Sequence, residues 1–433
     1  MKNEIIGRTI GIRHRVKRTA DGEASPTLIC IREGEKEQSH ELDTEQEEMD
    51  FLLGRCPIKY RACTPEEDIS TFPVHHVQWR AAEQEDVGVL RHASQCRYAV
   101  GEILSEVASK VPSHYIGIKA GDTVAMVLGG SGDYFAFALS AKLSKMNGAV
   151  LRIPPVKLQT YRGEVKKDGD AVLLARLASS HTDDFYPTEI RDRRVIIIRC
   201  QYQDWVTAMQ ARIACEQRLW ARHIGLTFCS EEGGFPEGTL QKEFEARKAN
   251  DPILQNLQLE EARADKALKK AVEALDVWKE VFDGIPGIGH RIAARLIHSV
   301  IDIRRFPTET KLCAYLGVHV LKDGKFPRRR KGGTSNWQPE GRQALYLLAE
   351  QLVRQKDRTA WGAYFLKRKA ALRDIHPVEV LDTGTGKKRY TKGHIHKMAI
   401  WRTLTRFTEF LYREWKKVEE SAVKKVEETD KAA

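Results

Sequence analysis

The residues best suited to chemistry lie late in the chain. GIPGIGHRIAARLI (284–297) runs a Gly-Pro turn straight into a helix. Glycine lets a backbone approach a partner closely, and the first turn of a helix offers unpaired N–H groups carrying partial positive charge, so this segment suits a phosphodiester. Tight helix packing at Gly287 and Gly289 is the other use of the same glycines. KFPRRRK (325–331) then places five basic residues in seven, ahead of the Gly-containing GGTSNWQ. Phosphate contact without sequence readout is the functional use of such a run, and a solvated charged surface is the plain one. Trp337 and Tyr315 lie close by in sequence, available for stacking on bases or for core packing. The candidate nucleic-acid contacts are therefore Gly287, Gly289, His290, Arg291, Arg304, Arg305, Lys325, Arg328, Arg329, Arg330, Lys331 and Arg342.

The charge distribution points the same way. From residue 281 onward there are 32 Lys and Arg against 17 Asp and Glu, leaving 39 against 43 in the first 280 residues. A basic C-terminal part beside a near-neutral N-terminal part is the footprint of a polyanion partner, with a soluble basic surface as the alternative. The 42% hydrophobic and 30% charged residues exclude wholesale disorder. No apolar run approaches the roughly 20 residues that a membrane span needs. The N-terminal MKNEIIGRTIGIRHRVKR has no apolar signal core, so a cytosolic protein is expected. Eight scattered cysteines form no CxxC pair and no cluster with zinc spacing, which reads as lone thiols in a reducing compartment.

Elements must position these residues. Residues 1–235 read as an α/β domain. Its strand candidates are 5–12, 26–33, 122–129, 148–153 and 194–199, short β-branched runs bounded by turn residues. The acidic stretch 33–50 reads as a solvated turn and helix entry, and a helix is expected over Asp204–His223. Leu254, Leu257, Glu261, Ala264, Leu268, Ala271, Leu275, Trp278 and Phe282 alternate spacings of three and four. That heptad seam predicts one long helix from Leu240 to Phe282 within a coiled-coil segment, 236–283. The seam would pair with a second copy in a homodimer, or with a helix of its own chain. Residues 284–433 read as all-helical, with helices at 289–300, 308–316, 338–355, 358–373 and 393–420.

IPGIGHRIAARLIHSVIDIRRFPTETKLCAYLGV (285–318) resembles the C-terminal domain of the bridge-RNA-guided insertion-sequence transposases. The matching parts are Pro286–Gly289, Ile303–Phe306, Ala314–Gly317 and Arg342–Tyr346. The resemblance implies a RuvC-like (RNase H-like) mixed-sheet domain, a coiled coil and a helical domain, with a structured guide RNA and DNA as partners. It also implies four carboxylates holding two metal ions, and a catalytic serine. Here Arg13 stands at the first carboxylate position, Gly129 at the second, and only Asp168 and Asp170 remain as residual catalytic residues. Mg²⁺ is expected only if that site survives. At the serine position stands Asp323 before Gly324, with Ser335 as a distant substitute. The Nop-domain ribonucleoproteins and the TIGR-associated (Tas) proteins are similar more loosely, through the helix Gly289–Ile297. The expectation is a nucleic-acid-binding protein without its own catalysis. The alternative is an active RNA-guided transposase that recruits further carboxylates such as Asp122 or Asp133.

Overall fold

The short β-branched runs near the N-terminus build one twisted sheet. The computed structural model describes residues 7–16, 24–83, 93–98, 105–164, 166–231, 233, 237–321, 325–328, 336–377 and 390–432. It divides into two compact units, 1–188 and 189–433. In the first, β1 (Thr9–Arg13), β2 (Thr27–Glu33) and β3 (Lys36–Leu42) precede α1 (Glu45–Leu53). Next come β4 (Cys56–Ala62), β5 (Gln78–Ala81), β6 (Cys96–Tyr98) and β7 (Ser105–Ile116), followed by β8 (Thr123–Val127), α2 (Asp133–Leu143) and β9 (Ala149–Ile153). The unit closes with α3 (Pro155–Arg162), α4 (Asp170–Ser180) and β10 (Tyr186–Pro187).

The main sheet has the order β10-β9-β8-β1-β2-β3. β1 is antiparallel to β2 but parallel to β8, and β8 is parallel to β9. Residues of β1, β8 and β9 are buried because helices cover both faces, the usual condition of parallel strands. Alternation along the strands divides the core. Ile10, Ile12, Val124 and Met126 face Phe51 of α1 and Leu139 and Leu143 of α2, while Ala125 and Ile153 face Leu158 of α3 and Leu174 of α4. Gly11 points to the α4 side, where a Cβ would stand 1.9 Å from the carbonyl oxygen of Ala171. Only glycine lets α4 lie this close to β1, and that approach brings Asp168 and Asp170 to the end of the strand.

A second sheet, β4-β7-β5 with β6 also on β7, was not foreseen from the sequence. Among the described residues its core is small, built around Ile69, Val77, Val107, Ala108 and Val111, so few apolar positions signal it. The acidic stretch also differs from expectation. It forms β3 and α1, and α1 buries Glu48 and Asp50. Thr44 and Glu47 form a capping box that sets the start of this helix.

The second unit is helical: α5 (Ile190–Phe228), α6 (Leu240–Ala249), α7 (Pro252–Glu273), α8 (His290–Val300), α9 (Glu309–Tyr315), α10 (Pro339–Gln355), α11 (Ala360–Ile375) and α12 (Lys392–Ala432). The run 194–199, read as a strand, lies inside α5, with Ile196 and Ile198 buried. An apolar run this short fits a buried helix as well as a strand, and the Glu189–Asp192 capping box starts the helix just before it. The expected single helix 240–282 is in three pieces. Pro252 opens α7 with Asp251 as its cap, and Trp278–Phe282 is a separate π-helical turn. The heptad seam is covered from within the chain. α7 packs along α5, and Leu268, Val272 and Leu275 join Ile198, Tyr202 and Trp205 of α5 in one core with α8 to α12.

Candidate nucleic-acid interface

At the C-terminal end of β1, the side chains that could hold a metal are each matched by a cation. Arg13 Nη2 lies 3.8 Å from Asp168 Oδ1, and its Nη1 donates to the hydroxyl of Ser25. The Asp168 side chain is 74% exposed. Asp170 is buried and takes a two-pronged pair from Arg162, Nε to Oδ1 at 2.6 Å and Nη2 to Oδ2 at 2.7 Å. Asp133, at the start of α2, is buried against Arg152. Glu48 accepts from the Thr27 hydroxyl at 2.6 Å, with His14 Nε2 at 3.3 Å and Arg15 Nη2 at 3.5 Å. Burial pushes the Glu48 carboxyl up, but His14, Thr27 and Arg15 together outweigh it and hold it below the ordinary range. Asp122 sits at the other end of β8 beside Arg8, away from this group. The His14 Nδ1 to Ser131 Oγ contact of 3.0 Å ties the end of β1 to the loop after β8. In that loop Gly129 has φ of 83°, a conformation that disfavours the glutamate expected there.

This set does not fit Mg²⁺, which binds through one or two accessible carboxylates with octahedral oxygen ligands. Both Asp170 oxygens are committed to Arg162, and the Arg13 guanidinium occupies the space beside Asp168. Among the described residues, no three metal-ligating side chains converge here. Asp323, Gly324 and Ser335 lie outside the described residues.

In the helical unit, the Gly-Pro turn is held by α10. Gly287 has φ of 93°, and a Cβ there would stand 2.8 Å from the end of the Gln355 amide. With its amide oriented to suit both partners, Gln355 accepts from the Gly287 N–H at 3.2 Å and donates to the Pro286 carbonyl at 3.2 Å. Gly289, the N-cap of α8, has no side-chain cap bond, and its absent Cβ faces open space. The two glycines thus serve different ends, Gly287 the turn and Gly289 an open approach to the helix start.

The cations divide in the same way. His290 Nε2 and Arg291 Nε meet Asp265 Oδ1 of α7 at 2.8 and 2.7 Å, and Arg291 lies over the Trp205 ring at 5.0 Å. Burial opposes ionisation of Asp265, but Arg291 and His290 hold its carboxyl below the ordinary range. Arg304 is not a surface cation. Its Nη2 binds Asp302 Oδ2 at 2.6 Å and Asp192 Oδ1 at 3.2 Å, with its side chain 10% exposed. Arg305 covers the rings of Phe306 and Tyr315 at 5.3 and 5.0 Å. Arg342 lies over the Trp337 and Trp401 rings, at 4.3 and 4.6 Å, and donates to the Pro327 carbonyl at 2.8 Å. Burial lowers its tendency to hold a proton. Arg342 therefore anchors the start of the basic loop, and sequence reasoning missed this positioning role. Trp337 serves this anchor, and Tyr315 donates to the Ser299 carbonyl at 2.9 Å, so both are structural. Lys325 and Arg328 are exposed on the described part of the loop, whereas Arg329, Arg330 and Lys331 lie outside the described residues.

Residues 279–365 match the family model of the transposase IS116/IS110/IS902 family. This segment is similar to an insertion-sequence transposase. The matched segment spans the Gly-Pro turn, the basic loop and every candidate nucleic-acid residue named from the sequence. A comparison with curated proteins returns no match. Among the described residues, no helix is long and apolar enough to cross a membrane.

Proposed function

We propose that this transposase-lineage protein binds a structured guide RNA, and through it target DNA, without performing phosphodiester chemistry itself. The carrying observation is Arg13, whose guanidinium stands 3.8 Å from Asp168 where the lineage would place a metal-binding carboxylate. A fixed cation there repels a divalent metal and competes for the remaining carboxylates. A RuvC-like descent for the first unit is supported by its sheet, an antiparallel β1–β2–β3 leaf continued by parallel β8 and β9. The binding role draws on the transposase-like segment, on the basic loop that Arg342 anchors, and on the open, glycine-capped start of α8.

The test is recovery of the protein from cells with and without nuclease treatment, followed by sequencing of the bound RNA. A discrete structured RNA is expected, and an identical absorbance ratio in both preparations with no RNA recovered would defeat the reading. Affinity should fall steeply with salt. Changing Arg328, Arg329 and Arg330 to Ala should flatten the log–log slope by roughly 2–3 units. The competing reading, an active transposase, rests on the same segment match. A plasmid strand-exchange assay with Mg²⁺ separates the two, because activity lost in Asp168→Ala would establish a working carboxylate site.

A further inference from the structure

Asp50, His75 and His76 sit together in the first unit, outside the carboxylate group at the end of β1. Asp50 lies on α1 and is 1% exposed. His75 and His76 are consecutive in one short 3-10 turn, Val74–His76, which leads into β5 of the second sheet. Both imidazoles turn toward the same carboxylate oxygen, with Nε2 of His75 at 2.8 Å and Nε2 of His76 at 2.9 Å from Asp50 Oδ2. The Gln46 amide nitrogen approaches that oxygen too, at 3.3 Å. The other oxygen, Oδ1, is held by Arg55 Nε at 3.3 Å.

Two features mark this as more than an ion-pair cluster. Three nitrogens crowd one oxygen, Oδ2; its two lone pairs are taken by His75 and Gln46, and the His76 nitrogen is left over. His76, 2% exposed, has no hydrogen-bond partner for either ring nitrogen, because its Nε2 lies close to Oδ2 but off the bonding direction. A buried imidazole left in that state is costly, and ligation would relieve it. The three donor atoms lie within 4.8 Å of one another.

We propose that Asp50, His75 and His76 bind a divalent transition-metal ion of the Zn²⁺ class. Two imidazoles and one carboxylate are borderline donors that suit Zn²⁺ or Co²⁺ better than Mg²⁺ or Ca²⁺, which favour all-oxygen sets. Bonds of about 2.0–2.2 Å need each imidazole nitrogen only about half an ångström further from Asp50 Oδ2 than it now stands. Gln46 yields its place, and Arg55 on Oδ1 orients the carboxylate from behind, as outer partners of metal ligands do. His75 is half-exposed and leaves an entry path. The ion would clamp α1 to the turn that leads into β5 of the second sheet. Among the described residues that sheet buries few apolar side chains, and so small a core gains much from a metal staple.

The experiment uses the full chain, stripped with EDTA and titrated with CoCl₂, then melted with and without ZnCl₂. One equivalent of Co²⁺ with a visible ligand-field band, and a higher melting midpoint in Zn²⁺, are expected. Both should vanish in His76→Gln and in His75→Gln, and both should survive in His114→Ala. His75 is half-exposed, so its variant keeps the test open if His76→Gln fails to fold. Absence of both signals in the stripped wild type overturns the proposal. So does a band of undiminished intensity in the folded His75→Gln protein.

Discussion

Truncating Arg304 to Ala should destabilise the helical unit rather than weaken nucleic-acid binding directly. The side chain is 10% exposed and binds Asp302 through Nε and Nη2 and Asp192 through Nη2. Burial pushes the Asp192 carboxyl up and the Arg304 charge opposes this, so removal of the guanidinium strands the buried Asp302 carboxylate and the part-buried Asp192. Breaking a buried pair from one side costs about 3–5 kcal/mol. For a unit of this size each kcal/mol lowers the melting midpoint by about 2–4 °C, giving a fall of roughly 6–20 °C. Intrinsic fluorescence is the natural assay, because all of the eight tryptophans except Trp79 lie in residues 189–433. Salt titration of RNA or duplex binding on the folded variant supplies the second reading. If Arg304 instead contacted phosphate, its loss would lower the log–log salt slope by about 0.9. A midpoint within about 2 °C of wild type, together with that loss of slope, would refute the structural role.

Three further outcomes follow from the same geometry. Gly287→Ala, at φ of 93° against Gln355, should cost about 1–3 kcal/mol, whereas Gly289→Ala, facing open space, should cost no more than about 1 kcal/mol yet weaken nucleic-acid binding. Urea midpoints and binding isotherms on the two variants check this, and equal stability losses would contradict it. Changing Leu268 and Leu275 together to Asp places charge in a buried intramolecular seam, so circular dichroism should show lost helicity and early melting. A helical, merely monomeric variant would instead favour pairing between copies. The Asp265 carboxyl, lowered in the folded chain from its ordinary 3.8, takes up its proton at a lower pH than the unfolded chain does. The stability it contributes is therefore full above that value and is lost as pH falls through the folded pKa. The urea-midpoint gap between wild type and Asp265→Asn should be constant above about pH 5 and narrow progressively as pH falls below about 4, and a gap independent of pH would remove the linkage.

The sequence by itself determined most of the helical unit. Apolar periodicity marked 289–300, 308–316, 338–355, 358–373 and 393–420, and helices stand at all five places because each needs only one local stripe to face a core. It also marked the strands that became β1, β2, β8 and β9. Local pattern failed where a segment's partner decides its state. The run 194–199 has the composition of a buried strand, yet it is one side of a helix that packs along α7 and α8. The seam from Leu254 to Phe282 announced that it would be covered, and only the tertiary structure supplied α5 as the cover. The second sheet was hidden because so few of its residues are buried. For the charged groups, sequence gave identity without partners. Arg304 and Arg328 look alike in a basic segment, but one is locked between Asp192 and Asp302 and the other is exposed. Asp50 and Glu48 looked like solvated acids, and the fold buried them against His75, His76 and His14. A charge is neutralised or left available by neighbours that are distant along the chain, so its role is set by the long-range packing that brings them together.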